Sequence, residues 1–408
     1  MVDPIAAAET KEGAVRRRRV IYVPGYDPFH ARRYRELYRK EARAQAEISG
    51  YEITVSSDGG QDPYSWFADA RIEGQDVRAE ISVLGWSDIV KESMDKGLWE
   101  TYRNAWRTLW IYLGSGALGG LVRLRKGPVI AAIYPLVFLV LQLLAALLVA
   151  WGIGWTIALV APAWMGVAGL LAVPPVLRWF ARHDNKILAR YLMHNYAFSA
   201  RDNGANPAAL EARIEVFTDV LRMAVRSDVD EVLVVGHSSG AHLAVSMLAD
   251  LLRAGDGPDG RPVLSFLTLG QVIPMASFLP DAKRLRADLA YVAASPEVDW
   301  VDVTAPGDGC AFALCDPVGV SGVAPDGQRG PLVLSAAFTQ TLSAERWRAL
   351  RWRFFRLHFQ YLCAFDRPGD YDYFRITAGP QTLAERFGHR RSSRSVKADP
   401  VSRHRSVA

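Results

Sequence analysis

Cysteine is scarce in this chain, with Cys310, Cys315 and Cys363 making up the whole set. An odd, sparse set without C-x-x-C spacing excludes a disulfide framework and a cysteine zinc site, and it fits reduced thiols in a reducing compartment. His237 and His242 stand five apart, neither H-E-x-x-H nor a Cys/His zinc spacing, so no metal and no cofactor is expected. The first residues lack an apolar core: Asp3, Glu9 and Glu12 interrupt 1–15, which reads as a flexible leader rather than a signal peptide. The body also lacks excess charge. The net charge is +5, but seven Lys/Arg against one Asp from Arg386 onward leave the rest near −1. Nucleic-acid binding is therefore not expected of the body. The basic segment 381–408, with serines among its arginines, reads as disordered and suited to an anionic lipid surface or to solubility. Arg16–Arg19 reads as solvated charge flanking a strand.

The largest absence is internal. Gly127 to Leu177, 51 residues, contain no Asp, Glu, Lys, Arg or His. About 20 apolar residues span a bilayer, so this stretch predicts a transmembrane hairpin with spans at about 129–150 and 153–173. Trp151-Gly-Ile-Gly-Trp155 is the predicted turn, glycines relaxing the backbone and tryptophans suiting the far interface. Arg123, Arg125 and Lys126 precede the hairpin and Arg178, Arg182 and Lys186 follow it, which predicts both termini on the cytoplasmic side. Seven of the twelve tryptophans lie between Trp99 and Trp179, and Trp99, Trp106 and Trp110 suggest an interfacial approach helix. Gly114-Ser-Gly-Ala-Leu-Gly119 spells G-x-G-x-x-G, but no strand precedes it and no acid follows at the right distance, so it is not a dinucleotide site.

What the chain does have is a strand, Val232–Val235, that runs into Gly236-His237-Ser238-Ser239-Gly240 and then into an Ala/Leu-rich helix over 241–252. This G-x-S-x-G between strand and helix resembles the nucleophile elbow of the α/β-hydrolase family. Strands over 20–23, 51–55, 79–84, 263–269, 300–304 and 331–335, with helices between them, predict an α/β fold with a doubly wound, mostly parallel sheet. The hydrolase core would occupy 16–97 and 183–380, interrupted at 98–182 by the interfacial helix and the membrane hairpin.

The resemblance implies that Ser238 is a nucleophile, followed in the chain by an acid and a histidine. His242 is too close in sequence to reach the hydroxyl, and His389 and His404 lie in the basic segment. His358 remains as the base. Asp308, in the loop after the 300–304 strand, is the preferred acid, with Asp316, Asp302 and Asp299 as alternatives. The oxyanion donors implied are the Ser239 N–H and, by position, the Gly25-Tyr26 turn, with Tyr26 the donor. Gly236, His237 and Gly240 complete the elbow, with His237 read as packing. The expectation is a membrane-anchored serine esterase with a cytoplasmic catalytic domain. Its partners would be the lipid bilayer and an ester substrate, with lipid or acyl esters suggested by location. The competing readings are a catalytically inactive scaffold that binds a lipid or protein, and a membrane component whose hairpin drives assembly.

Overall fold

The computed structural model describes residues 14–57, 63–95, 97–184 and 188–408. Most of the expected leader, with Asp3, Glu9 and Glu12, and the flanking Lys186 lie outside the described residues. One eight-stranded sheet organises the chain, in the order β2-β3-β4-β1-β5-β6-β7-β8. The strands are β1 (Arg17–Val23), β2 (Glu52–Ser57), β3 (Tyr64–Ile72), β4 (Gln75–Val83), β5 (Glu231–His237), β6 (Val263–Leu269), β7 (Val298–Thr304) and β8 (Leu332–Ser335). All neighbours run parallel except β3, which is antiparallel to both β2 and β4. The fold is therefore α/β with a mixed sheet. Sequence patterning does not reveal β3, whose Tyr-Ser-Trp-Phe-Ala-Asp-Ala-Arg-Ile mixes polar and apolar residues without a clean period. Its partner turn does carry a local signal: Glu73 and Gly74 both have positive φ, the signature of a two-residue hairpin.

Alternation along the central strands sends side chains into two cores, as expected for a sheet covered on both faces. Val232, Val234 and Phe266 face a layer containing Leu221, Leu248 and Leu289. Leu233, Val235 and Leu267 face Tyr38, Phe374 and Leu383. At the join of the two sequence halves, Arg18 on β1 is buried against Glu231 on β5, with Nε donating to Oε2 at 2.5 Å. The remaining guanidinium N–H groups donate to Gly379 and Gln381 carbonyls, and Glu231 Oε1 accepts from Ser265 and Leu383. Thus one member of the Arg16–Arg19 run is not solvated charge: its carboxylate partner lies 213 residues away, beyond the reach of local pattern.

Between β4 and β5 come α1 (Leu98–Gly114), α2 (Ala117–Leu124), α3 (Lys126–Val160), a 3-10 segment (Ala163–Ala172) and α4 (Val173–Arg182). The segments Lys126–Val160 and Ala163–Arg182 are long and apolar enough to cross a membrane. The turn is not at Trp151–Trp155. Helix α3 runs through that stretch for 35 residues, and the chain reverses at Ala161-Pro162, where both residues leave the helical region. Gly154 serves close packing instead: a Cβ there would lie 2.5 Å from the Gly166 carbonyl oxygen, and one on Gly169 would lie 2.2 Å from that of Ala150. Small residues let the two legs touch backbone to backbone, the interface apolar helices use when hydrophobic burial gives them no preference. Their outward faces remain apolar and exposed, Leu148 at 66% and Leu171 at 79%. On α1, Trp99, Trp106 and Trp110 are exposed while Thr101, Ala105, Thr108 and Tyr112 are buried.

The segment 381–408 is not disordered. Thr382 and Glu385 form a reciprocal cap on a short helix, Leu383–Phe387. Further on, Lys397 Nζ donates to the Arg123 and Leu124 carbonyls at 2.9 and 2.7 Å, and Val401 N–H donates to Val320. His404 Nε2 meets the Ser115 carbonyl at 3.0 Å, and Arg286 donates to Ser406 O. Composition misleads here because these cations bind backbone carbonyls, which no charge count records.

Candidate active site

The elbow forms where β5 ends. Ser238 has φ +56°, in the left-handed region, and its N–H donates to Leu269 O at 2.9 Å. Such a conformation in a non-glycine residue costs on the order of 1–3 kcal/mol and must be held by its surroundings. Gly236 and Gly240 make it possible. A Cβ on Gly236 would sit 2.8 Å from Ala241 Cα, and one on Gly240 only 2.2 Å from the Val23 carbonyl oxygen. The turn thus lets β5, β1 and the helix Gly240–Arg253 (α5) approach closely, and leaves Ser238 partly exposed at the sheet's C-terminal edge.

The loop after β1 lies across this elbow. A Cβ on Gly25 would be 3.0 Å from Ser238 Cβ, and Tyr26 N–H donates to Ser239 Oγ at 2.8 Å. The Tyr26 ring is fixed by Trp86, Tyr191 and Phe198, and its carbonyl accepts from the Tyr191 hydroxyl. Ser239 immediately precedes the first turn of α5, where backbone N–H groups lack intrahelical acceptors.

His358 sits at the end of a five-residue helix, Phe354–His358, because the Arg/Trp-rich stretch that reads as one helix over 344–363 is broken at Arg351–Arg353. Its Nδ1 meets Asp308 Oδ2 at 2.7 Å. The same oxygen accepts from the Tyr361 hydroxyl at 3.0 Å, and Oδ1 accepts from Cys310 N–H at 2.9 Å. Burial works against the Asp308 charge. The His358 imidazole and the hydrogen bonds from His358, Cys310 and Tyr361 outweigh burial and hold the carboxyl below its usual range. An ionised acceptor at Nδ1 keeps the imidazole proton there, which leaves Nε2 as the basic nitrogen. Nε2 is buried and has no partner among the described residues. No hydrogen bond joins it to Ser238, but the two residues line one cavity of about 70 Å³ with Gly25, Tyr26 and Ser239.

The alternative acids are placed elsewhere. Asp316 caps a short helix and accepts from Gln328. Asp302 accepts from Thr268 inside the sheet, and burial, then the neighbouring Asp316, push its carboxyl up to about 8. Asp299 lies at the start of β7, the end remote from the elbow.

Sequence reasoning missed two supporting residues, Tyr361 and Gly270, and read a third, His237, as packing alone. The Tyr361 hydroxyl accepts from Ala305 N–H while donating to Asp308. Gly270, with φ +52°, lies under both rings: a Cβ there would be 2.6 Å from Tyr361 and 3.1 Å from His358 Cε1. His237 does more than pack, since its Nε2 meets the His358 carbonyl at 3.1 Å and ties the elbow to the His358 segment. Burial, then His358, pull its imidazole down to about 3, so it stays neutral and donates. Spacing also could not show that Asp308, Cys310 and His358 bring one donor atom each within 4.8 Å of one another. Burial, then Asp308, hold the Cys310 thiol far above its usual range, which keeps it protonated.

The base of the hairpin reaches the same place. Pro128 of α3 lines the Ser238 cavity, and a Cβ on Gly127 would lie 3.2 Å from Gly309 Cα, beside Asp308 and Cys310. No family model, no curated protein and no solved structure matches this chain, so its chemistry has to be argued from this geometry.

Proposed function

We propose that this chain is a membrane-anchored serine hydrolase of α/β-hydrolase type that cleaves carboxylic esters. The observation that carries the reading is a positive-φ serine at a strand-to-helix elbow that lines one cavity with a histidine whose Nε2 is free and whose Nδ1 is held, behind it, by a buried aspartate. In the mechanism, Ser238 Oγ attacks the ester carbonyl carbon as His358 Nε2 takes the hydroxyl proton. Asp308 orients the ring and stabilises the imidazolium that forms. The oxyanion is held by the N–H groups of Ser239 and Tyr26, the latter turning from Ser239 Oγ to the new negative charge. Collapse breaks the C–O bond, and the alcohol leaves with the proton from His358. Water then repeats the sequence on the acyl-enzyme and releases the carboxylic acid. The approach between Ser238 and His358 tightens on substrate binding, as catalytic hydrogen bonds often do.

The membrane reading is supported by the two apolar legs, their exposed faces and the tryptophan face of α1. With α3 about 52 Å long, its span exceeds the roughly 30 Å hydrocarbon layer. Arg123, Arg125 and Lys126 at one leg and Arg178 and Arg182 at the other favour a cytoplasmic catalytic domain. Because Pro128 lines the cavity, the site lies beside the hairpin's base, and lipid or acyl esters are the natural substrates.

A second reading, an inactive scaffold that binds a lipid or protein partner, draws on the missing Ser238–His358 hydrogen bond and on the occupied Tyr26 N–H. Fluorophosphonate labelling of detergent-extracted protein separates the two. Labelling lost in both Ser238→Ala and His358→Ala supports the hydrolase; folded wild type that does not label leaves the scaffold.

A further inference from the structure

A second, larger recess of about 1000 Å³ adjoins the Ser238 cavity and shares Asp27, Tyr34, Tyr191, Phe355 and Phe359 as walls. Its lining carries five cations and four carboxylates. The carboxylates are committed. Asp27 accepts from Phe29 N–H and the Tyr34 hydroxyl, and Asp184 from the Arg190 and Tyr191 N–H groups. Glu36 is taken by Arg35 and Arg39. Glu41 accepts from Ala364 N–H and faces Lys40 and Arg346. Three guanidiniums remain. Arg353 and Arg356 have no side-chain hydrogen bond or ion pair among the described residues, and Arg33 meets Asp27 only at 3.9 Å while lying over the Phe29 ring. Between them the floor is apolar, with Leu37, Met94, Leu350 and Phe359.

Uncommitted guanidiniums over an apolar floor fit an amphiphile with an anionic head, and forked N–H donors match phosphate oxygens. The recess stands one wall from the nucleophile, while Pro128, at the base of the hairpin, lines the Ser238 cavity from another side. Building on the ester hydrolase reading above, we infer that the recess is a head-group subsite and that the substrates are acyl esters of phosphate-bearing alcohols. The alcohol side lies toward Arg33, Arg353 and Arg356, and the acyl side toward the base of α3.

The test compares hexanoyl lysophosphatidate with monohexanoylglycerol, the same acyl ester with and without the phosphate, both used as soluble monomers so that surface charge plays no part. The wild type is expected to favour the phosphate ester in kcat/KM by about tenfold or more. In Arg353→Gln/Arg356→Gln that ratio falls toward one, whereas Arg353→Lys/Arg356→Lys, which keeps the charge and loses the fork, gives a ratio between the two. Each variant is also labelled with fluorophosphonate. If labelling is intact but the wild type shows no preference, cleaves neither ester, or keeps its preference in the Gln variant, the subsite is wrong and the serine chemistry stands. If the wild type neither labels nor cleaves either ester, the hydrolase reading fails and takes the subsite with it.

Discussion

Asp308→Asn changes one atom at the centre of the proposed machinery, and its effect can be worked out by counting donors. Three groups donate to the Asp308 carboxylate: His358 Nδ1–H and the Tyr361 hydroxyl at Oδ2, and Cys310 N–H at Oδ1. Asparagine offers a single acceptor oxygen. If that oxygen stays with Cys310, the amide NH₂ faces His358, which must then accept at Nδ1 and carry its proton on Nε2. The base is then blocked. If the amide flips, Cys310 N–H faces another donor, and a buried unsatisfied N–H costs about 1–3 kcal/mol. The first arrangement is the cheaper, so the rate of fluorophosphonate labelling should fall on the order of a thousandfold while the fold is retained. The controls are the rival acids. Asp302 is pushed up to about 8 and is largely neutral at pH 7, so Asp302→Asn swaps one neutral acceptor for another and should leave labelling within about threefold. Asp316→Asn keeps an acceptor for the helix cap but sets its NH₂ against the Gln328 amide, so it should lower stability more than rate. Labelling of Asp308→Asn within about threefold of wild type, or a larger loss in Asp302→Asn, would refute the assignment of the acid.

Four further outcomes follow from the same structure. Gly270→Ala places a methyl 2.6 Å from Tyr361 at a positive-φ site, so it should slow labelling by more than about tenfold while the protein still extracts as a folded monodisperse species; wild-type rates would remove Gly270 from the site. Burial holds His237 and His242 down to about 3 and about 4, so below pH 6.5 the unfolded chain takes up protons that the folded chain refuses. Stability is then lost as pH falls, by up to about 1.4 kcal/mol per pH unit for each histidine, and melting in detergent at pH 7.5 and 5.5 should show it; a higher Tm at 5.5 would contradict the linkage. Gly169→Val forces a side chain into the Ala150 carbonyl, and a lower melting temperature is expected with serine labelling in the surviving folded fraction; an unchanged Tm would mean the legs do not touch as described. Truncation after Val396 removes Lys397, Val401, His404 and Ser406 from their carbonyl and guanidinium partners, so thermal stability should drop even though most of the deleted residues are polar or charged; a truncated protein as stable as the full chain would count against these contacts.

Local signals carried well where the structure is itself local. The β5 strand, its glycine-flanked elbow and the following helix are contiguous, so the residues that must be small stand next to the one that must be strained. The pairing of His358 with Asp308 is legible because few histidines and few post-strand loops compete for their places. The misreadings share a cause: each concerns contacts made far along the chain. Gly152 and Gly154 look like turn residues, yet Gly154 is where Gly166 arrives. Arg18 looks solvated until Glu231 is placed beside it. Tyr361, Gly270 and His237 are ordinary residues whose part in the site depends on where β6 and the 354–363 segment end up. Lys397 and His404 look like free charge because their acceptors are carbonyls.

The interruption of the sheet also sets an order of assembly. Strands β1 to β4 are synthesised first, then the apolar hairpin, and only then β5, whose place is along the open edge of β1. In a membrane setting the hairpin would insert while half of the sheet stands at the bilayer surface with an unpaired edge. The Arg18–Glu231 contact, buried at that edge, cannot form until more than two hundred further residues have emerged. The segment Lys397–Ser406 comes later still and grips the Ser115–Leu124 region from outside. In that setting insertion would precede completion of the sheet, so ribosome-bound chains lacking β5 would be the ones most exposed to edge pairing and most in need of a chaperone.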